Sequence, residues 1–201
     1  MSETMRSSAT AVLEDRVRDS IDVSLALLTP DLLAETGAII EAVVEAVQAG
    51  ATVFFFGNGG SSADAQHLAA ELLGRFYRDR TALPSVALAD NVAALTAIAN
   101  DYAYEDVFSR QIIGLGRAGD VAIGLSTSGN SLNVVHALEV ARDLGLLTIA
   151  FTGADGGKAA DVAALAFRAP SRDTPRIQEA HKLVGHTLCE VVEARVFGES
   201  A

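Results

Sequence analysis

The sequence predicts an α/β fold, a three-layer α/β/α sandwich built on a five-stranded parallel sheet and preceded by two N-terminal helices. Three observations carry this expectation. Apolar, β-branched or aromatic runs recur at residues 52–56, 85–88, 121–125, 146–151 and 163–169. Glycine- and hydroxyl-rich loops follow three of them, at 57–62, 126–131 and 152–157. Helical patterns come next, and repeated strand, loop and helix units imply a parallel sheet whose loops gather at the strands' C-terminal edge.

The elements follow in order. Between residues 11 and 28 apolar side chains recur at helical spacing, with Val17, Ile21, Leu25 and Leu28 on one face. Pro30 and Asp31 then start a second helix that runs to about Gln48 and ends at Gly50. Two amphipathic helices ahead of a sheet suit subunit packing as well as core packing. The first Gly-rich loop opens a helix over 63–76. After the strand at 85–88 come a helix over 91–99, a polar turn Asn100-Asp101-Tyr102 and a helix over 107–115. In the last segment Thr174 is the expected N-cap and Pro175 the first helical residue, with the helix reaching about Val196 before Gly198. The chain reads as one domain over 1–201, with residues 1–49 as helices used in oligomer packing and 50–201 as the α/β core.

Composition narrows the function. Half the positions are apolar, enough for a sizeable core, and no run approaches the length of a membrane span. The leading residues 1–10 lack an apolar signal core, and the single Cys189 cannot form an internal disulfide, so a cytoplasmic setting is expected with Cys189 in a packing role. A formal charge of −11, with only Lys158 and Lys182 as lysines, argues against nucleic acid as a partner. The densest basic group, Arg75, Arg78 and Arg80, reads as solvated surface.

The most informative stretch is Ser126-Thr127-Ser128-Gly129-Asn130-Ser131, which places four hydroxyls where a buried strand hands over to a helix. Free N–H groups at a helix start favour an anion, hydroxyls donate to phosphate oxygens, and Gly129 allows close backbone approach. A Ser/Thr-rich turn with one capping residue is the alternative. The second junction, Gly57-Asn58-Gly59-Gly60-Ser61-Ser62, can face the same pocket, or be a plain βα turn.

His67 and Glu71 lie four residues apart and share a helix face. On the final helix, Gln178 and His186 are rotated by about 80° and separated by about 12 Å of rise, so they can meet only around a group held between them. Two imidazoles, a carboxylate and an amide oxygen form a set compatible with zinc, and without metal they form an acid/base pair. An i, i+4 pair such as His67 and Glu71 can equally be a surface contact. His181 is expected to cap or to lie at the surface, and His136 reads as structural.

Taken together, Gly57 to Ser61 with Asp64, His67 and Glu71, then Asn100-Asp101, Ser126 to Ser131, Asp155-Gly156-Gly157, and Arg176-Ile177-Gln178-Glu179 with His186 resemble the phosphoheptose isomerases, a family of sugar-isomerase (SIS) domains with a flavodoxin-like sheet. The match runs in order over nearly the whole chain. What the resemblance implies is an aldose–ketose isomerase acting on sedoheptulose 7-phosphate through an enediol or enediolate, as a cytoplasmic homotetramer with one Zn²⁺ per subunit. Carried over residue by residue, His67, Glu71, Gln178 and His186 match the metal ligands. Asn58, Gly59, Gly60, Ser61, Glu71, Asn100, Asp101, Ser126, Thr127, Ser128, Ser131 and Gln178 match the substrate-binding residues. Glu71 is then the candidate base and His186 the candidate acid.

One departure stands out: Lys182, midway between Gln178 and His186, occupies a place where the family leads us to expect an apolar residue. An ammonium aimed at the metal would oppose Zn²⁺, so the expectation is that it bends away to an acidic partner such as Glu179. The resemblance also covers non-catalytic SIS tetramers that bind the replication initiator protein, which lack the carboxylate and final histidine that an isomerase needs. A sugar-phosphate-sensing regulatory domain is a third reading, and it predicts an attached DNA-binding module.

Overall fold

The computed structural model describes residues 8–198, so most of the stretch read as lacking a signal core lies outside the described residues. Two helices, α1 (Ala9–Ala26) and α2 (Pro30–Gln48), lead into the alternating core. There β1 (Val53–Gly57), α3 (Gly60–Leu73), β2 (Ser85–Ala87), α4 (Val92–Asp101), a 3-10 turn (Tyr104–Asp106) and α5 (Ser109–Leu115) follow in order. The chain continues through β3 (Val121–Leu125), α6 (Leu132–Asp143), β4 (Leu147–Thr152), α7 (Gly157–Val162) and β5 (Leu165–Arg168) to α8 (Thr174–Phe197). The five strands form one parallel sheet in the order β2-β1-β3-β4-β5.

Both sheet faces are covered, and strand periodicity shows how. Val53 and Phe55 point into a core shared with α2, α3 and α8, whereas Phe54 and Phe56 point into a second core built with α5 and α6. Every residue of β1 and β3 is buried, as a central parallel strand requires. By contrast, α1 buries none of its residues, and its apolar stripe stays open, with Val17 50% and Leu25 60% exposed. No single helix among the described residues is long and apolar enough to cross a membrane.

Four local expectations are corrected. The fourth helix continues through Asn100 and Asp101, which close its last turn instead of forming a separate polar turn. Asp173, whose backbone is extended, takes the N-cap position of α8, and Thr174 is one residue inside. Arg80 is no surface residue: its side chain is 3% exposed and its Nε lies 3.0 Å from a Glu193 carboxylate that is itself buried. Glu193 also accepts the N–H groups of Phe76, Tyr77 and Arg78. Burial pushes its carboxyl up, but the three N–H groups and Arg80 outweigh that and hold it below its ordinary value.

The fourth correction concerns His181, which is fully buried between Phe151 and Phe167, not capping or exposed. Its Nε2–H donates to the Thr152 carbonyl at 3.0 Å, pinning α8 to the end of β4. His136 meets its structural expectation, with Nδ1 3.1 Å from Asp106. Cys189 is buried, and burial pushes its thiol up to about 12, in keeping with a packing role.

Burial lowers the His181 pKa to about 4, the bond to Thr152 only partly opposing it. The unfolded chain takes up this proton near the ordinary histidine value of 6.5 and the folded chain only near 4, so stability falls as pH drops through that window. Urea denaturation between pH 7 and pH 5 is expected to show wild type losing about 2 kcal/mol more than His181→Phe. Equal losses would remove His181 as the source.

Candidate active site

Gly57 and Leu125 are register partners on adjacent parallel strands, so the loops after β1 and β3 leave the sheet level with each other. The chain passes from β1 outward to β2 and then back across to β3, which makes this the switch point where open α/β sheets bind ligands. Neither α3 nor α6 has a side chain capping its first turn. Ser126 is buried and donates to Ser131 Oγ at 3.0 Å, while Ser128 Oγ accepts the Asn130 N–H at 3.2 Å. Thr127 and Ser128 line a cavity of about 320 Å³ together with Gly153 and Asp155. Gly129 has a φ of +66°, and a Cβ there would stand 1.9 Å from the Gly156 carbonyl oxygen, so only glycine fits.

On the other side of the Gly-rich loop, α3 and α8 run parallel, because each follows a parallel strand on the same sheet face. Their facing side chains form a ladder. Gln178 lies over Gly60, where an added Cβ would meet Gln178 Nε2 at 2.5 Å. Lys182 Nζ lies 3.1 Å from Asp64 Oδ1. His67 Nε2 and His186 Nε2 are 2.8 Å apart, and His67 Nε2 is 3.3 Å from Glu71 Oε1. A cavity of about 370 Å³ opens between Gly60, Asp64, Gln178 and Lys182.

The structure therefore brings His67, Glu71 and His186 together, with their donor atoms all within 4.8 Å of one another. Two imidazole nitrogens and a carboxylate oxygen suit a borderline metal such as zinc. Bonds of about 2.0 Å at tetrahedral angles put donor atoms about 3.3 Å apart, so a small opening of the His67–His186 contact would admit an ion. Gln178 stands two rungs away, at the Gly-rich-loop end of the ladder. Asn58 is half-buried at the head of the Gly-rich loop, Gly59 and Gly60 are exposed, and Ser61 is buried at the start of α3. Asn100 and Asp101 are exposed at the end of α4 and bonded to each other at 2.8 Å.

Lys182 does bend away, but its partner is Asp64 and not Glu179. Asp64 faces it directly one rung along, whereas Glu179 is engaged by Arg176. Sequence reasoning also missed the support behind Glu71. Arg80 donates to the carbonyl oxygens of Glu71 and Leu72 at the end of α3, at 2.8 and 2.6 Å. Phe76, tied to Glu193, packs against the His186 ring at 5.9 Å. Only the short spacing of three arginines signalled this, and it pointed to solvent.

With that geometry in place, the chain can be set beside known proteins. Residues 19–153 match the SIS domain family. A phosphoheptose isomerase from Clostridium acetobutylicum is 44% identical over 188 residues, 93% of this chain and 96% of its own length. One from Aquifex aeolicus is 50% identical over 180 residues, 89% of this chain and 93% of its own. The chain belongs to the phosphoheptose isomerase family of SIS domains. A solved phosphoheptose isomerase from Neisseria gonorrhoeae shares the fold with a TM-score of 0.87 at 38% identity, covering 93% of this chain and 100% of that one. Glu71 and His186, on which the choice between isomerase and binding-only tetramer turned, stand in the same cleft, and these relatives are isomerases by name.

The Gly129 contact with Gly156 yields a direct check on the Ser/Thr loop. Gly129→Ala is expected to lower stability by about 2 kcal/mol or more. Inorganic phosphate binding should be lost with it, thermal denaturation and titration calorimetry being the measurements. An unchanged phosphate affinity would separate the loop from the anion site.

Proposed function

We propose that this chain interconverts sedoheptulose 7-phosphate and D-glycero-D-manno-heptose 7-phosphate, with Glu71 as the base and His186 as the acid. The observation that carries the reading is the meeting of His67, Glu71 and His186 one ladder away from two level, uncapped loops. A sugar phosphate anchored by Gly59, Gly60, Ser61 and the hydroxyls of Ser126, Thr127, Ser128 and Ser131 lays its chain along α3 and α8, with Asn58, Asn100, Asp101 and Gln178 completing its contacts. Its carbonyl end then reaches Glu71.

Glu71 takes a proton from C1 of the ketose, the C1–H electrons form the C1=C2 double bond of the enediol or enediolate, and the proton returns at C2. His186 moves the second proton, from O1 to O2, so that the carbonyl passes from C2 to C1 with no net gain or loss. Such acid/base assistance is typically worth about 10² to 10⁴ in rate for each group. Zinc held by His67, Glu71 and His186, one per subunit, would polarise the carbonyl as a Lewis acid, and Gln178 would join them only by swinging from its place over Gly60. Glu71 has two carboxylate oxygens, so one can face a metal while the other takes the proton. A cytoplasmic setting fits the reading, as the buried, lone thiol agrees.

Incubating purified protein with sedoheptulose 7-phosphate and following the aldose by NMR tests the reading, and no turnover with or without added zinc would refute it. Glu71→Gln should lower turnover by about two orders of magnitude while phosphate binding survives. An unimpaired variant removes Glu71 from the base role.

We also assign a homotetramer, because the open α1 stripe of Val17, Ile21, Leu25 and Leu28 continues into exposed Leu33 and Leu183. Sedimentation is expected to return four times the chain mass, and Leu25→Asp a smaller species. A monomeric wild type would overturn the assignment.

A further inference from the structure

Beyond Gly57 and Leu125 no ladder joins β1 to β3, so the spacing of the two loops is left to side chains. One carboxamide cluster spans the gap. Asn58 Nδ2 donates to Asn133 Oδ1 at 2.9 Å, and Asn133 Nδ2 donates back to Asn58 Oδ1 at 2.9 Å. The Tyr104 hydroxyl donates to the same Asn58 oxygen at 2.8 Å. Asn58 Oδ1 thus accepts twice, which uses both of its lone pairs, and one amide hydrogen is engaged as well. This side chain belongs to the scaffold, leaving the backbone around it to face a ligand.

The three residues come from three segments that carry substrate-binding assignments. Asn58 heads the Gly-rich loop. Asn133 lies in the first turn of α6, directly behind Ser131, and is 3% exposed. Tyr104 begins the 3-10 turn that follows Asn100 and Asp101. We propose that Asn133 and Tyr104 are positioning residues that hold Asn58, and through it the Gly-rich loop, at a set distance from the Ser/Thr loop and from the 100–101 segment. The phosphate then meets a cradle formed before it arrives, and none of its binding energy goes into ordering the loops. The kinetic consequence rests on the isomerase reading; the binding consequence does not.

The contact is absent from any periodicity argument, because a polar residue in the inward stripe Asn133, Ala137, Ala141 looks like an exception to a buried helix face. All three are buried. A buried carboxamide in such a stripe requires a partner, and here that partner is the loop across the switch point.

Titration of wild type, Tyr104→Phe and Asn133→Leu with inorganic phosphate, alongside steady-state kinetics on sedoheptulose 7-phosphate, tests the clamp. Tyr104→Phe removes one exposed hydroxyl, so its melting temperature should stay put while phosphate affinity falls about threefold. Asn133→Leu should weaken phosphate about tenfold and raise KM by the same factor with kcat within about threefold, the split expected when ground-state positioning is lost. The double variant should resemble Asn133→Leu alone, since both bonds act through one oxygen. Unchanged phosphate affinity in Tyr104→Phe and in folded Asn133→Leu overturns the proposal, as does a fall in kcat with KM unmoved. Should Asn133→Leu not fold, Tyr104→Phe alone decides. If wild type binds phosphate without turning over the sugar, the isomerase reading falls and the clamp is judged on the phosphate titration.

Discussion

The register of β1 against β3 sets the geometry of the rest. Because Gly57 pairs with Leu125, two loops that leave neighbouring strands start level, while their helices depart to opposite faces of the sheet. A crevice is the necessary result, with helix N-terminal dipoles of the same sign on both sides of it. Shifting β1 by one residue would turn Phe54, Phe55 and Phe56 to the wrong cores, so the packing of three aromatic side chains maintains the level start.

From that crevice the second half of the site follows by topology. α3 and α8 each return from a parallel strand on the same face, so they run side by side in the same direction, and equal steps along them stay matched. Gly60 with Gln178, Asp64 with Lys182 and His67 with His186 are the result. The helices approach closely just before the last rung, where Gly185 leaves room for the Leu68 side chain. The Gly-rich loop at one end and the His67, Glu71 and His186 cluster at the other are thereby separated by a fixed number of helical turns, which a floppy arrangement of the same residues would not give.

Much of this was legible in the sequence, and the parts that were not share a cause. Apolar periodicity marks which residues face a core or a partner, so all five strands and both leading helices were readable, but not that the α1 stripe stays open. The hydroxyl-rich loop was readable as a strand-to-helix junction, because it falls between the apolar run that ends at Leu125 and the helical pattern that begins at Leu132. What periodicity does not encode is which polar groups meet from distant segments. Arg80 finds Glu193 across 113 residues of chain, Asn58 finds Asn133 across 75, and Lys182 finds Asp64 on another helix. Likewise the burial of His181 is set by the β4 end and the Phe151 and Phe167 rings that its helix packs against, which its own helix does not encode.

These distant pairs also explain how a chain of net charge −11 can hold an anion. Four cations near the cleft are joined to carboxylates: Lys182 to Asp64, Arg176 to Glu179, Arg172 to Asp155 and Arg80 to Glu193. Arg172 even holds the Asp155 carboxyl below its ordinary range through their hydrogen bonds. Those four charges are neutralised locally, and the net charge of −11 works against long-range steering of an anion. Recognition is therefore left to short-range donors, the backbone N–H groups and hydroxyls of two helix starts, whose strength depends on their mutual placement far more than on ionic strength. In such a site the spacing of the loops matters as much as their chemistry, which is why a buried asparagine pair behind the cradle has a place in the function.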